Sequence, residues 1–300
     1  MNSRERVRAA LNFEEPDRVP LDLGGTWVSG IHGEAYFRLR KALGIEPGPI
    51  RIFDLHQMLA QVELPVIEAL GADILPIYQR TISLGIQMNG WKPFDFWWTP
   101  ERGITEVPTG FEPEIGDDGS LLLSDQTAYG VRTNARMPAN GWYFDILDAT
   151  AMSDDIELED IGQYKARLRR LNDEDLQFAE HQTRSLFETT DKALAGGFML
   201  GGLSGPDSLT FTDWMIALIT EKEYVRDLFE AKVEITLENL RAYRDAVGDR
   251  IDIVVVSGVD YGTQRREMFS PDLFEELFVP YYRQINDWVH SNTDWKTFFH

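Results

Sequence analysis

Residues 251–271, IDIVVVSGVDYGTQRREMFSP, decide the fold. Ile251, Ile253, Val254, Val255 and Val256 make an apolar run broken only by Asp252. That pattern belongs to a strand buried on both faces of a parallel sheet, since a half-solvated strand alternates. A polar loop carrying Asp260, Tyr261 and Gln264 follows, and Ser270-Pro271-Asp272 then starts a helix. Serine caps it, proline sits where its missing N–H costs nothing, and the acid lies in the first turn. Strand, loop and helix form one unit of an alternating α/β fold. Loops at the carboxyl ends of such strands face outward from a rigid scaffold, so binding and catalytic groups collect there. Asp260 and Gln264 are the candidate catalytic residues, and Tyr261 is a candidate substrate contact.

The same unit recurs on both sides. Upstream, Arg18–Leu23 predicts a first strand, apolar residues from Asp54 to Leu70 recur at three and four and predict a helix, and Ala72–Tyr78 predicts a second strand. Helices are expected over Asp155–Arg169 and Asn172–Lys192, a small-residue strand over Ala193–Leu200, and helices over Ser208–Ile219 and Glu221–Val247. Downstream, Pro280 should kink the helix that begins at Pro271, and Trp295–Phe299 reads as another strand. Between them the stretch 88–147 changes character, with Asp118-Gly119 and Asn140-Gly141 as turn signals, and predicts inserted β-hairpins. Its aromatics, among them Trp91, Phe94, Phe96, Trp97, Trp98 and Trp142, suit a local core under the insertion better than a lid over the rim. The expected architecture is therefore α/β, a single domain over 1–300 of the (β/α)8 TIM-barrel type with a β-hairpin insertion. Only about five of its eight strands are visible, so the barrel is expected to be truncated, with about 60 residues of βα units to follow.

Composition narrows the function. With 29 basic and 50 acidic residues the net charge is −21, which repels a phosphate backbone, so nucleic acid is not an expected partner. No window has the roughly 18 consecutive apolar residues of a membrane span, and the first 20 residues lack the apolar core of a secretory signal. A cytoplasmic protein acting on a small molecule is the expectation. The chain has no cysteine, which excludes disulfides and any thiolate site within these residues. Nucleotide-binding and hydrolase signatures are absent: GGLSGPDS (201–208) places Pro206 where a nucleophile elbow has glycine. That loop still presents Ser204 at the end of a strand, a candidate substrate contact. His32 follows the first strand's loop and is a candidate for the same rim. His300 ends a predicted strand at the functional end, where it either contacts metal or substrate or serves the structure. Asp260 is either a general acid or base, or a carboxylate receiving backbone N–H groups.

Three blocks, RERVRAALNFEEPDRVPLDLGG (4–25), LGADILPI (70–77) and DYGTQRREMFSPDLFEELFVPYYRQINDWVH (260–290) leading to FFH (298–300), resemble the uroporphyrinogen decarboxylase family of distorted α/β barrels. That family includes the decarboxylase of porphyrin biosynthesis and cobamide-dependent methyltransferases. The decarboxylases bind a tetrapyrrole bearing eight carboxylates, for which arginines in the first loop and an aspartate at the second strand are implied. Here the first loop, GGTWVSGIHG (24–33), has no arginine, and the aspartate's position falls near Arg80, with Asp73 as the other alignment. In the methyltransferases a later strand ends in a histidine followed by cysteines that complete a zinc site, and zinc activates an acceptor thiol. His300 falls where that histidine belongs. The resemblance thus implies zinc held by His300 with further ligands beyond residue 300, and a corrinoid, free or on a partner protein, as methyl donor. Decarboxylation of a uroporphyrinogen-like tetrapyrrole, with Asp73 or Asp260 at the pyrrole nitrogens, is the alternative, followed by a non-catalytic barrel that binds a corrinoid or a partner.

Overall fold

The computed structural model describes residues 1–46, 48–128, 131–147, 156–197 and 202–300. Helix α1 (Ser3–Leu11) opens with a reciprocal cap in which Asn2 and Glu5 satisfy each other's backbone N–H groups. Then follow α2 (Gly33–Ala42), β1 (Ile50–Asp54), β2 (Leu59–Ala60), α3 (Leu64–Leu70) and β3 (Ile74–Pro76). The antiparallel region holds β4 (Trp91–Pro93), β5 (Thr105–Pro108), β6 (Glu114–Ile115), β7 (Leu121–Ala128), β8 (Val131–Met137) and β9 (Asp145–Leu147). The chain continues through α4 (Ile161–Arg167), α5 (Asp173–Thr189), β10 (Ala193–Gly196), α6 (Phe211–Thr220), α7 (Lys222–Val247), β11 (Ile253–Ser257), α8 (Pro271–Leu277), α9 (Val279–Asn292) and β12 (Lys296–Phe299). The expected strand tail at 198–200, Gly201 and the helix start at Asp155 lie outside the described residues.

The stretch that decides the fold forms the middle of a parallel sheet. Strands β3, β10, β11 and β12 pair side by side in chain order, all parallel. Every residue of β11 is buried, as its unbroken apolar run requires, and each fully buried Val or Ile contributes about 1.5–3 kcal/mol over an exposed one. Helix α7 covers the unit between β10 and β11 with a stripe that includes Val225, Leu228, Phe229, Thr236, Leu240 and Tyr243. Pro280 acts as expected: the helical run breaks at Phe278 between α8 and α9.

Among the described residues the sheet does not close into a barrel; the fold is mixed α/β with a parallel sheet of four strands and two further four-stranded sheets. Residues Arg18–Leu23, expected as the first strand, run beside β3 without strand pairing. Pro20 has no N–H to give, and the link is the Asp73 N–H to Leu21 carbonyl bond, with Leu21 N–H donating to the Asp73 carboxylate. The helix expected over Asp54–Leu70 begins only at Leu64. Met58 adopts a left-handed φ of 57°, and Leu55, Met58, Leu59 and Val62 are buried from a turn and the short β2, so their spacing imitates a helix. Strand β1, hidden inside that misreading, pairs parallel with β5 and so ties the hairpin region to the rest. The turn signals do sit between antiparallel strands: Gly119 (φ 77°) joins β6 to β7 and Asn140 (φ 61°) joins β8 to β9. Phe94, Phe96, Phe111 and Phe144 pack ring on ring beneath these strands as a local core.

Helix α1 lies across the amino ends of the parallel strands. Val7 packs with Ile74, Ala193, Ala195 and Ile253, while its arginines reach the acids that precede the strands. Arg6 Nη1 lies 2.7 Å from Asp73 Oδ1, Arg18 Nη1 2.8 Å from Asp73 Oδ2, and Arg8 Nε 2.5 Å from Asp252 Oδ1. These contacts secure the amino end of the sheet.

Candidate functional site

At the carboxyl ends of β10 and β11 the loops 202–210 and 258–269, with α6, enclose a cleft of about 220 Å³. Ser204 and Gly205 contribute from the first loop, Asp260 and Tyr261 from the second, and Trp214 and Phe269 form apolar walls. The sequence-predicted residues Ser204, Asp260 and Tyr261 are thus brought together. His300, immediately after β12, donates its backbone N–H to the Ser257 carbonyl at 3.1 Å and places Nδ1 3.5 Å from Asp260 Oδ1. The imidazole and the carboxylate are both solvent-accessible.

The two loops are held in register by a hydrogen-bond chain. Val259 N–H donates to Ser257 Oγ, which lies 3.0 Å from Tyr282 Oη, and Tyr282 Oη accepts the Leu203 N–H and lies 2.5 Å from Tyr261 Oη. Tyr261 in turn donates to the Leu203 carbonyl at 3.0 Å. Burial pushes both phenols above the ordinary tyrosine range, so they remain donors at any physiological pH. The Tyr261 hydroxyl is therefore engaged in structure, and its ring, packed edge-on against Phe269, Phe274 and Phe278, belongs to the cleft lining. Tyr282→Phe removes the acceptor for the Leu203 N–H and is expected to cost about 1–3 kcal/mol in urea unfolding. A loss below about 0.5 kcal/mol would show that the chain of hydroxyls does not hold the loops.

The other expected site residues lie elsewhere. Gln264 is exposed at the tip of a turn closed by Thr263 and Arg266, outside the cleft lining. His32 caps α2: its Nδ1 accepts the Glu34 N–H, so Nε2 carries the proton and donates to the Trp142 carbonyl at 2.9 Å. Its ring packs edge-on against Trp98 and Trp142, which assigns it to the hairpin region. Asp73 sits at the amino end of β3, away from the rim, with both oxygens engaged by arginines. Neither residue lines the cleft.

The first loop reaches the rim by another residue. A Cβ on Gly258 would stand 2.5 Å from Trp27 Cζ2, so the Trp27 indole lies directly on the backbone leading to Asp260, and only glycine admits it there. Lys232 was equally unannounced: from α7 its Nζ reaches Ser204 Oγ at 3.2 Å. Its sequence signal is position, seven residues after Val225 and three after Phe229 on the buried stripe, where a lysine stands out.

Zinc does not fit what is present. Among the described residues no group of three or more His, Cys, Asp or Glu could hold a metal, and His300 with Asp260 supplies two donors, fewer than the three protein ligands of catalytic zinc. Among the described residues no helix is long and apolar enough to cross a membrane. No family model, curated protein or solved structure matches the chain.

Proposed function

We propose that the protein is a (β/α)-barrel enzyme of the uroporphyrinogen decarboxylase type, from the branch that transfers a methyl group from a corrinoid to a thiol or similar nucleophile. The reading rests on the sequence blocks that resemble that family and on strands that pair parallel in chain order, as successive barrel strands do. The observation that carries it is the Asp260–His300 pair beside the cleft at the carboxyl rim. His300 takes the acceptor's proton as its sulfur becomes nucleophilic, and Asp260 orients the imidazole and balances its charge. The Tyr261 ring and Trp214 hold the acceptor's apolar part out of water. At about 220 Å³ the cleft is smaller than the roughly 300–1,000 Å³ of pockets for drug-sized ligands, so it suits the small acceptor and not a tetrapyrrole ring. The corrinoid would be presented from outside, on a partner protein. A first loop without arginine and a net charge of −21 argue against an octa-anionic substrate.

The test is anaerobic incubation with methylcobalamin and a thiol, following loss of the methyl–cobalt absorption and formation of the methyl thioether. Turnover above the protein-free rate is expected, with His300→Ala lowering it by about 100-fold, within the span of general-base effects. A rate equal to the protein-free control, or carbon dioxide release from uroporphyrinogen, would overturn the proposal.

A further inference from the structure

The contact between Ser204 and Lys232 has a second chemical meaning, independent of any corrinoid. Ser204 is exposed at the cleft, and the Lys232 stem rises from α7 through the space between Tyr164 and the 202–208 loop. Its Nζ lies 3.2 Å from Ser204 Oγ and 3.5 Å from the Gly202 carbonyl. The nearby acids are engaged by another cation: Arg167 pairs with both Glu159 and Asp207. Among the described residues the charged groups that act on the ammonium are Arg167 and Asp207, and the Tyr164 ring lies 5.9 Å from Nζ. Burial and the Arg167 guanidinium outweigh the attraction of Asp207 and push the Lys232 ammonium down to about 7. A lysine in that range is a proton acceptor at neutral pH.

We propose that Ser204 and Lys232 form a nucleophile–base pair that cleaves small carboxylic esters with an apolar acyl chain, the Gly205 backbone N–H receiving the developing oxyanion. Among the described residues the amides of Ser204 and Gly205 donate to no protein carbonyl. Gly205 is pressed against the Trp214 indole, where a Cβ would stand 2.6 Å from Cδ2, so the ring fixes the direction of that amide. In the first step Lys232 Nζ removes the Ser204 hydroxyl proton while Oγ bonds to the acyl carbon. Collapse of the tetrahedral species breaks the bond to the alkoxy oxygen, which leaves as alcohol with the proton from Lys232. Water then attacks the acyl-serine by the same route, releasing the acid and restoring both side chains; nothing is oxidised or reduced. Trp214, Met215 and Phe269 line the space for the acyl chain, and the small volume restricts it to short ones.

Labelling with an alkyl fluorophosphonate tests the pair, because an activated serine attacks its phosphorus and displaces fluoride to leave a stable phosphonate ester, and the probe contains neither methyl donor nor thiol. Its failure would thus leave the methyl-transfer reading standing, and failure of that reading would leave this one standing. One adduct per chain is expected by intact mass, mapped to Ser204, with a labelling rate that rises as pH increases and levels off above about 7. Ser204→Ala should take no label. Lys232→Arg keeps the stem and a charge that cannot be removed, and should label at least about 100-fold more slowly. Thermal unfolding of that variant checks its fold, and the wild-type pH profile decides the matter if it is unstable. No adduct on the wild type, an adduct that persists in Ser204→Ala, or a rate independent of pH would overturn the proposal.

Discussion

Asp73→Ala is expected to lower the unfolding free energy by about 3–5 kcal/mol, the range for removing one partner of a buried ion pair. Asp73 is fully buried, and its two oxygens meet Arg6, Arg18 and the Leu21 N–H. Removing it leaves Arg6, whose side chain is only 10% exposed, with Asp17 as its remaining carboxylate, and takes from residues 18–23 the carboxylate that Arg18 and the Leu21 N–H hold, so that the backbone bond from residue 73 to the Leu21 carbonyl remains. The effect should show in urea as a lower midpoint at unchanged slope. Burial alone would raise the Asp73 carboxyl, but the hydrogen bonds from Arg18, Leu21 and Arg6 outweigh it and hold the group below the ordinary carboxylate range. A depressed pKa contributes stability that is fully present above the unfolded value of about 4 and is lost as pH falls through the folded value. The variant should therefore lose part of the wild type's steep acid dependence below about pH 4. A destabilisation under about 1 kcal/mol would mean that α1 is not anchored through this carboxylate.

Phe229→Ala should cost a similar amount, about 3–5 kcal/mol, through the cavity it leaves. Phe229 is fully buried on α7 and meets Trp214 at 5.9 Å, Phe278 at 5.0 Å and Tyr281 at 5.5 Å between ring centroids. It therefore supports the cleft wall and the α8–α9 break together. Tryptophan emission should shift to the red as Trp214 loses that support, and fluorophosphonate labelling of Ser204 should slow because Gly205 rests on the same indole. Unfolding in urea measures the first effect. A loss of less than about 1.5 kcal/mol would show that the neighbours collapse into the space.

Both predictions concern residues whose importance was uneven in the sequence. Phe229 lies in an amphipathic stripe that anyone reading α7 would bury. Asp73 entered instead as a ligand contact through one alignment of the aspartate that the family resemblance implies, and such an alignment does not fix at which end of the strand the acid stands. Direction decides: Asp73 precedes β3 while Asp260 follows β11, so one faces the α1 arginines and the other the cleft. The grouping of Ser204 with Asp260 and Tyr261 followed from their shared place after successive strands. His32 failed the same logic because the first segment is not a paired strand, and its loop delivers Trp27 to the rim instead.

What the sequence determined by itself was local: the buried strand at 253–257, the capped helices, the break at Pro280 and the hairpin turns at Gly119 and Asn140. Each depends on side chains and dihedrals within a few residues, which periodicity and turn chemistry report. Tertiary structure alone decided that Met58 turns the chain where a helix was expected, that β1 joins β5, and that Lys232 meets Ser204 across 28 positions. Those outcomes depend on which surfaces meet once the apolar faces are buried, and a pattern of residues along one segment carries no information about its partner.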